Sequence, residues 1–328
     1  NSVDEIDDIR VFFSKVDQQG RSAYRSVDFE PGTNIVGDVL RDIIYGGRAN
    51  DSILGGDGND VLFGSAGDDT LQGQGGNDTL NGGPGSDLLI IDDAGDRVAE
   101  SNRWDGHDTV QASVDFRMGR AHIEDLVLTG DAILGAGNGL RNVITGNDQN
   151  NILDGGKNVD TLVGGDGNDI YLLRAPGDNA VELEGGGIDT VRAFRSIQLD
   201  ANVENLYIQT LRNDAGEGVP GVNGIGNELN NTIVGNPFDN SIIGREGRDT
   251  LRGQAGADSF AGQIPTILKV NSANSLMSDT AGKNQAVTAS VDDALAQLVG
   301  FDDQLPPHRL VEPGLTGTPE AASVSMSR

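Results

Sequence analysis

From Ile44 onward one large aliphatic residue recurs every nine positions, at Ile53, Leu62, Leu71, Leu80 and Leu89, with polar and glycine-rich stretches between. A period of nine with one apolar position fits neither a helical face nor an ordinary alternating strand. It fits a three-residue strand, such as Val61-Leu62-Phe63, whose middle side chain points inward while its neighbours point outward. The six residues before each strand are rich in Gly, Asn and Asp and predict a tight turn, because glycine reaches positive φ without steric cost. Turn plus strand is half a coil, so eighteen residues close one coil and successive coils stack about 4.8 Å apart with parallel strands. The expected fold is all-β: a parallel β-roll, or β-solenoid, of stacked 18-residue coils.

The polar places repeat as strictly as the apolar one. Between Gly46 and Ile90 the lines are GGRANDSIL, GGDGNDVLF, GSAGDDTLQ, GQGGNDTLN and GGPGSDLLI. The sixth place is always aspartate, at Asp51, Asp60, Asp69, Asp78 and Asp87. In an 18-residue coil Asp51, Asp69 and Asp87 fall on one edge and Asp60 and Asp78 on the other. Stacked carboxylates repel, and a hard divalent cation between coils removes the repulsion. Calcium takes six to eight oxygens from carboxylates and backbone carbonyls, and glycine turns leave carbonyls uncovered. The candidate ligand set is therefore these aspartates with the turn glycines Gly46, Gly47, Gly55, Gly56, Gly58, Gly64, Gly67, Gly73, Gly76, Gly82, Gly83 and Gly85. Ordinary solvated turns would not require aspartate at every sixth place.

This nonapeptide, G-G-x-G-x-D-x-U-x, resembles the calcium-binding repeat of the RTX, or hemolysin-type, proteins. The resemblance covers roughly residues 37–262, and it implies several Ca2+ ions, each lying between the turn of one coil and the turn of the next. It also implies a secreted, extracellular protein exported by type I secretion machinery.

Register extends beyond the first five lines. Gly37 to Tyr45 already holds it, so the first array is expected over 37–98, with Asp96 nine places beyond Asp87. The pattern loosens through Arg97–Ala136, then returns over 137–178 and again over 226–262. In the second array Asn142, Asn151, Asp160 and Asp169 take the sixth place; in the third, Asn231, Asn240, Asp249 and Asp258 take it. Asparagine offers a neutral carbonyl oxygen in place of a charge, so the asparagine coils are expected to bind calcium weakly or not at all, with stacked asparagines hydrogen-bonding along the edge. Further candidate ligands are then Gly155, Asp160, Gly164, Gly165, Gly167, Asp169, Asp249 and Asp258. A longer period links the loosened parts: Asp189-Thr190-Val191 echoes Asp108-Thr109-Val110, and Val203-Glu204-Asn205-Leu206 echoes Ile123-Glu124-Asp125-Leu126.

The flanks differ. Residues 1–36 carry no repeat; Val11-Phe12-Phe13 and Val27-Asp28-Phe29 look like short strands and Pro31-Gly32 like a turn. They suit a cap over the first coil, or the stub of a larger N-terminal domain. Residues 263–328 lose the nines; Ser290 can cap a helix through Val291–Val299, and the prolines after Leu305 mark a tail that is plain disorder or the type I secretion signal.

Composition narrows the function classes. A net charge of −28 argues against nucleic acid or anionic membrane as partner and suits a cation-binding surface. With no cysteine, a secreted chain needs another staple, and metal is one. No hydrophobic run is long enough for a membrane-spanning helix, and the first residues show no signal-peptide pattern. H-E-x-x-H and G-x-S-x-G are both absent, and His107, His122 and His308 sit in unrelated settings. The expectation is a non-enzymatic calcium-binding roll that closes on meeting external calcium. Its partners would be a cell surface, matrix polysaccharide or further copies of itself. The alternatives are the calcium-binding arm of a larger secreted protease, lipase or polysaccharide-modifying enzyme, and a membrane-active or signalling protein.

Overall fold

A computed structural model describes Gly32, residues 34–100, 106–210 and 221–262, and four short strands beyond them. The helix expected near Ser290 lies outside the described residues, as does most of the expected N-terminal cap and of the tail. The chain divides into two compact units, Asn1–Gly187 and Ile188–Arg328. Every regular element among the described residues is a strand.

In the first unit one sheet runs through nine parallel strands: Asn34–Val36, Ser52–Asp57, Thr70–Gly75, Leu88–Ile91, Thr109–Ala112, Asp125–Leu128, Val143–Thr145, Thr161–Val163 and Asn179–Val181. Between them fall the strands of the other face. Ile43–Tyr45, Val61–Phe63, Thr79–Asn81 and Arg97–Val98 form one sheet; Phe116–Arg117, Leu134–Ala136, Ile152–Asp154 and Ile170–Leu173 follow in the same alternating order. Pairing is always with the strand one coil away, as in Ile53 against Leu71 and Leu62 against Leu80. This is the stacking that the nine-residue period predicts.

The core follows from the same period. Strand triplets bury their middle residue and half-expose its neighbours. Ile53, Leu71, Leu89, Val110, Leu126, Ile144 and Leu162 line one sheet and Leu62, Leu80, Leu153 and Tyr171 the other, all fully buried. One inward side chain per triplet, and two in four-residue strands such as Leu88–Ile91 and Asp125–Leu128, make a thin core. The polar edges must therefore be held by something besides packing.

The second unit repeats the arrangement. Thr190–Ala193, Asn205–Ile208, Thr232–Val234, Thr250–Arg252 and Ile267–Lys269 stack in parallel, as do Ile197–Gln198, Gly224–Ile225, Ser241–Ile243, Ser259–Ala261 and Ser275–Ser278. Each stack ends on an antiparallel strand, Ser323–Val324 and Asn284–Val287 respectively.

The loosened stretches stay in the stack with coils of altered length. Coil spacing is 18 residues within the arrays, then 21 from Asp87 to Asp108 and 16 from Asp108 to Glu124. In the second unit it is 15 from Asp189 to Glu204.

Candidate metal edge

The sixth-place carboxylates form a ladder along each edge. The backbone N–H of Asp42 donates to Asp60 Oδ1 at 2.7 Å, that of Asp51 to Asp69, that of Asp60 to Asp78 and that of Asp69 to Asp87, all at the same distance. The ladder continues from Asp78 to Asp96 and from Asp87 to Asp108, both at 2.9 Å. Later arrays keep it, with Asn142 donating to Asp160, Asn231 to Asp249 and Asn240 to Asp258 at 2.9, 2.9 and 3.0 Å.

In most of these carboxylates one oxygen is thus used and the other is stranded; Asp51 and Asp96 differ, their Oδ2 atoms accepting the N–H of Gly47 and those of Asp92 and Asp93. Oδ2 of Asp60, Asp69, Asp78, Asp87, Asp160, Asp249 and Asp258 is buried with no hydrogen-bond partner. These aspartates are at most 2% exposed. A buried carboxylate oxygen without a donor is costly, so seven of them in register mark a built feature.

The first glycine of each line shapes the space around that oxygen. A Cβ at Gly55 would lie 2.5 Å from Asp60 Oδ2 and 2.7 Å from the Gly73 carbonyl oxygen. At Gly64 it would overlap Asp69 Oδ2 and lie 2.6 Å from the Gly82 carbonyl. A carboxylate oxygen of one coil and a carbonyl oxygen of the next therefore converge on space that glycine alone leaves open. The fourth-place glycines answer a different need: Gly58 and Gly67 have φ of +141° and +120°, and a Cβ there would meet the carbonyls of Leu40 and Ala49 one coil below at 2.6 Å.

Electrostatics agrees with the geometry. Burial, with smaller repulsion from neighbouring carboxylates, pushes Asp60 and Asp87 up to about 7 and Asp69 and Asp78 to about 6. Burial, against the opposing hydrogen bond, likewise raises Asp160 to about 7 and Asp249 and Asp258 to about 6. Clustered acceptors, missing donors and a disfavoured anionic state fit a hard cation with oxygen ligands.

The asparagine coils are built differently from the ladder expected of them. Asn142 Nδ2 donates to the carbonyls of Ile123 and Glu124, at 2.8 and 3.1 Å, while its Oδ1 accepts from Asn138 N–H. Asn151 Nδ2 reaches the Ala132 carbonyl at 3.1 Å, and Asn231 and Asn240 reach the carbonyls of Val203 and Val222. The amides bond to backbone of the preceding coil, and those of Asn151, Asn231 and Asn240 also to the asparagine four residues before them, rather than to one another across coils. The reason is what that coil presents: a loosened coil turns carbonyls toward the next one, and only a donor can meet them.

Two sets of edge residues escaped the sequence reading. The fifth-place side chains of Asn50, Asn59, Asp68, Asn150, Asn230 and Asp239 each accept a backbone N–H from the coil 18 residues on, at 2.7–3.0 Å. Their recurrence one place before the sixth-place aspartate or asparagine was the available signal. Glu124 and Glu204 take the aspartate's place in the ladder at the short coils, accepting from Asp108 N–H and Asp189 N–H at 2.9 and 2.8 Å. A longer side chain spans a shorter coil, and the echo of one segment in the other pointed to both.

The RTX calcium-binding nonapeptide repeat family matches the chain in four copies, at residues 36–71, 54–89, 136–171 and 225–260. Among curated proteins, the endo-1,3-1,4-beta-glycanase ExsH of Rhizobium meliloti (strain 1021) is 44% identical over 48 residues. That match covers 15% of this chain, which spans about a tenth of the glycanase's own length (10%).

Proposed function

The repeats of this chain belong to the RTX calcium-binding nonapeptide family, and on that premise we propose that it is a secreted calcium-binding roll whose edges close on extracellular Ca2+. The residues that hold the ions are Asp51, Asp60, Asp69, Asp78 and Asp87 in the first array, with the turn carbonyls beside them. Asp160, Asp169, Asp249 and Asp258 serve the later arrays. The observation that carries this reading is the row of stranded Oδ2 atoms facing glycine-lined carbonyls. Bound calcium supplies positive charge that offsets both the burial of these carboxylates and their mutual repulsion. The aspartates contribute one oxygen to the next coil's register and one to the ion. The glycines keep the space open, and the inward aliphatic residues fix the strand spacing.

Millimolar calcium outside the cell and sub-micromolar calcium inside make the same edge a compartment sensor, since binding stabilises by mass action only where the ion is abundant. The chain then stays open for type I export and folds on arrival, acting there as a structural, adhesion or matrix element without chemistry of its own. A calcium titration followed by circular dichroism and calorimetry tests this. The expected result is a cooperative gain of β signal, reversed by chelator, with several ions bound and fewer in the Asp60→Ala, Asp69→Ala, Asp78→Ala triple variant. An unchanged stoichiometry in that variant sinks the assignment.

One observation favours a second reading, the calcium-binding arm of a polysaccharide-processing enzyme: the 48-residue match to a glycanase. The coding sequence around this chain decides it, since a continuous frame into a catalytic domain supports the arm and its absence supports the free-standing roll.

A further inference from the structure

The loosened stretch after the first array interrupts the repeat, and it is also where an additional acid enters the edge. Glu100 lies outside every nonapeptide line, yet it is only 4% exposed. Its Oε1 accepts the Gly82 N–H, and its Oε2 lies 3.5 Å from Asn81 Nδ2. In regular coils the same glycine N–H goes to a backbone carbonyl, as from Gly64 to Asn81. Gly82 is also the glycine over which Asp87 Oδ2 is folded, so close that a Cβ would overlap it. That oxygen is buried with no partner. Asp108 completes the corner, taking the Asp87 N–H at 2.9 Å after the 21-residue coil. Repulsion from Asp108, Asp69 and Glu100 adds to burial in raising Asp87 to about 7.

The arrangement recurs one long repeat later within the same unit. Asp169 and Glu182 converge on Gly164, where a Cβ would overlap Asp169 Oδ2 and lie 2.5 Å from Glu182 Oε1. A carboxylate oxygen of each lies within 4.8 Å of the other. Tyr171, fully buried, turns its hydroxyl to Glu182. Both copies place a glutamate on the first-place glycine of the array's last full line, 18 residues after it.

We propose that Asp87 and Glu100, flanked by Asp108, form a distinct calcium site built by the interruption of the repeat, with Asp169 and Glu182 forming its second copy. It rests on the reading of the aspartate edge as calcium-binding, and differs from it in ligand set. A regular corner offers its own aspartate and the one that takes its N–H a coil on, as with Asp69 and Asp87, whereas this corner adds Glu100 as a third carboxylate. Calcium affinity rises with ligand charge, so these corners fill first and hold the ends of the arrays before the interior sites load.

Calcium titration of the full chain by calorimetry tests the proposal, comparing wild type with Glu100→Gln, Glu182→Gln and the exposed-site control Glu184→Gln. Glutamine keeps an acceptor for the Gly82 N–H while removing the charge. The expected result is that each corner variant loses one ion from the tightest class, or binds it at least tenfold more weakly, while the control titrates as wild type. Equal stoichiometry and affinity in Glu100→Gln and wild type would overturn the corner site while leaving the aspartate edge intact; a wild-type chain that takes up no calcium would sink both. Should a glutamine variant fail to fold, terbium added to wild type and to Tyr171→Phe gives a second reading. Loss of at least half the tyrosine-sensitised emission places an ion at the Gly164 corner, and undiminished emission overturns that copy.

Discussion

The first array and the entry to the second are built on one backbone with opposite edge chemistry. In both, a sixth-place N–H donates to the carboxylate one coil on, at 2.7 Å from Asp42 to Asp60 and 2.9 Å from Asn142 to Asp160. The difference is on the face turned the other way. Asn142 and Asn151 meet the preceding coil with amide donors, helped by Asn138 and Asn147, whose Nδ2 groups reach the carbonyls of Ala121, Ile123, Gly130 and Ala132. Asp60, Asp69, Asp78 and Asp87 each keep a buried oxygen that no protein donor meets. Amide coils are self-sufficient, and carboxylate coils are complete only with a cation or a proton. The unmet need for a cation is therefore concentrated in part of the edge, and the asparagines mark where the fold holds itself.

The largest effect should come from reversing that chemistry. Asn142→Asp places a carboxylate oxygen against the carbonyls of Ile123 and Glu124, where an N–H donor now sits in a fully buried position. The cost of an uncompensated buried charge is about 3–5 kcal/mol. Urea unfolding at a calcium concentration that keeps the chain folded should show a loss of that order, against much less at an exposed asparagine. A neutral outcome would show that the amide contacts do not hold the entry coil.

A second effect separates the aspartate lines, in every array, from the asparagine lines by pH. The unfolded aspartates titrate near their ordinary value of about 4, while Asp60, Asp87 and Asp160 are raised to about 7 and Asp69, Asp78, Asp249 and Asp258 to about 6. The folded state thus binds more protons than the unfolded one between these limits, and stability falls as pH rises through the window. In chelator, acidification from pH 7.5 to pH 5 should restore part of the β signal that calcium removal costs, and saturating calcium should flatten the dependence. Hydrogen exchange should place the gain at the amides of Asp42, Asp51, Asp60 and Asp69, which donate to these carboxylates. A β signal in chelator that stays absent or falls on acidification would show that the carboxylates are not strained by burial.

Much of this was legible in the sequence because the period does two jobs at once. The residue that repeats in the eighth place is the one a strand buries, so Leu62 or Leu71 reveals strand, face and coil length together. Sixth-place aspartates fall on two edges by arithmetic, and the structure sets them there. Less legible were residues whose role depends on the neighbouring coil rather than on their own line. Glu124 belongs to a coil of irregular length, so its partner Asp108 cannot be found by counting nines; Glu100 stands two nines after Gly82, but in a place where the repeat carries no acid. The asparagines were read as weakened ligands, since nothing in their own line shows that the coil before them presents carbonyls.

The smallest effect concerns the second place of the turn, where the two regions again differ. In the entry coils this place holds Asn147, whose side chain makes two bonds to the coil before it, to Gly130 and Ala132 at 3.1 and 2.9 Å. In the first array it holds Ser65 and Gln74, with φ of +87° and +69°, beside Gly56 and Gly83 at +103° and +97°. A left-handed conformation costs an L-residue roughly 1–2 kcal/mol, and glycine returns part of that through its greater freedom when unfolded. Gln74→Gly should therefore stabilise the calcium-loaded roll by about 0.5–1 kcal/mol. Asn147→Gly should destabilise it by about 1–2 kcal/mol through the lost hydrogen bonds. Urea midpoints of the two variants at saturating calcium measure both signs. If Gln74→Gly destabilises as Asn147→Gly does, the second place carries side-chain contacts in both regions and the contrast between them fails at this position.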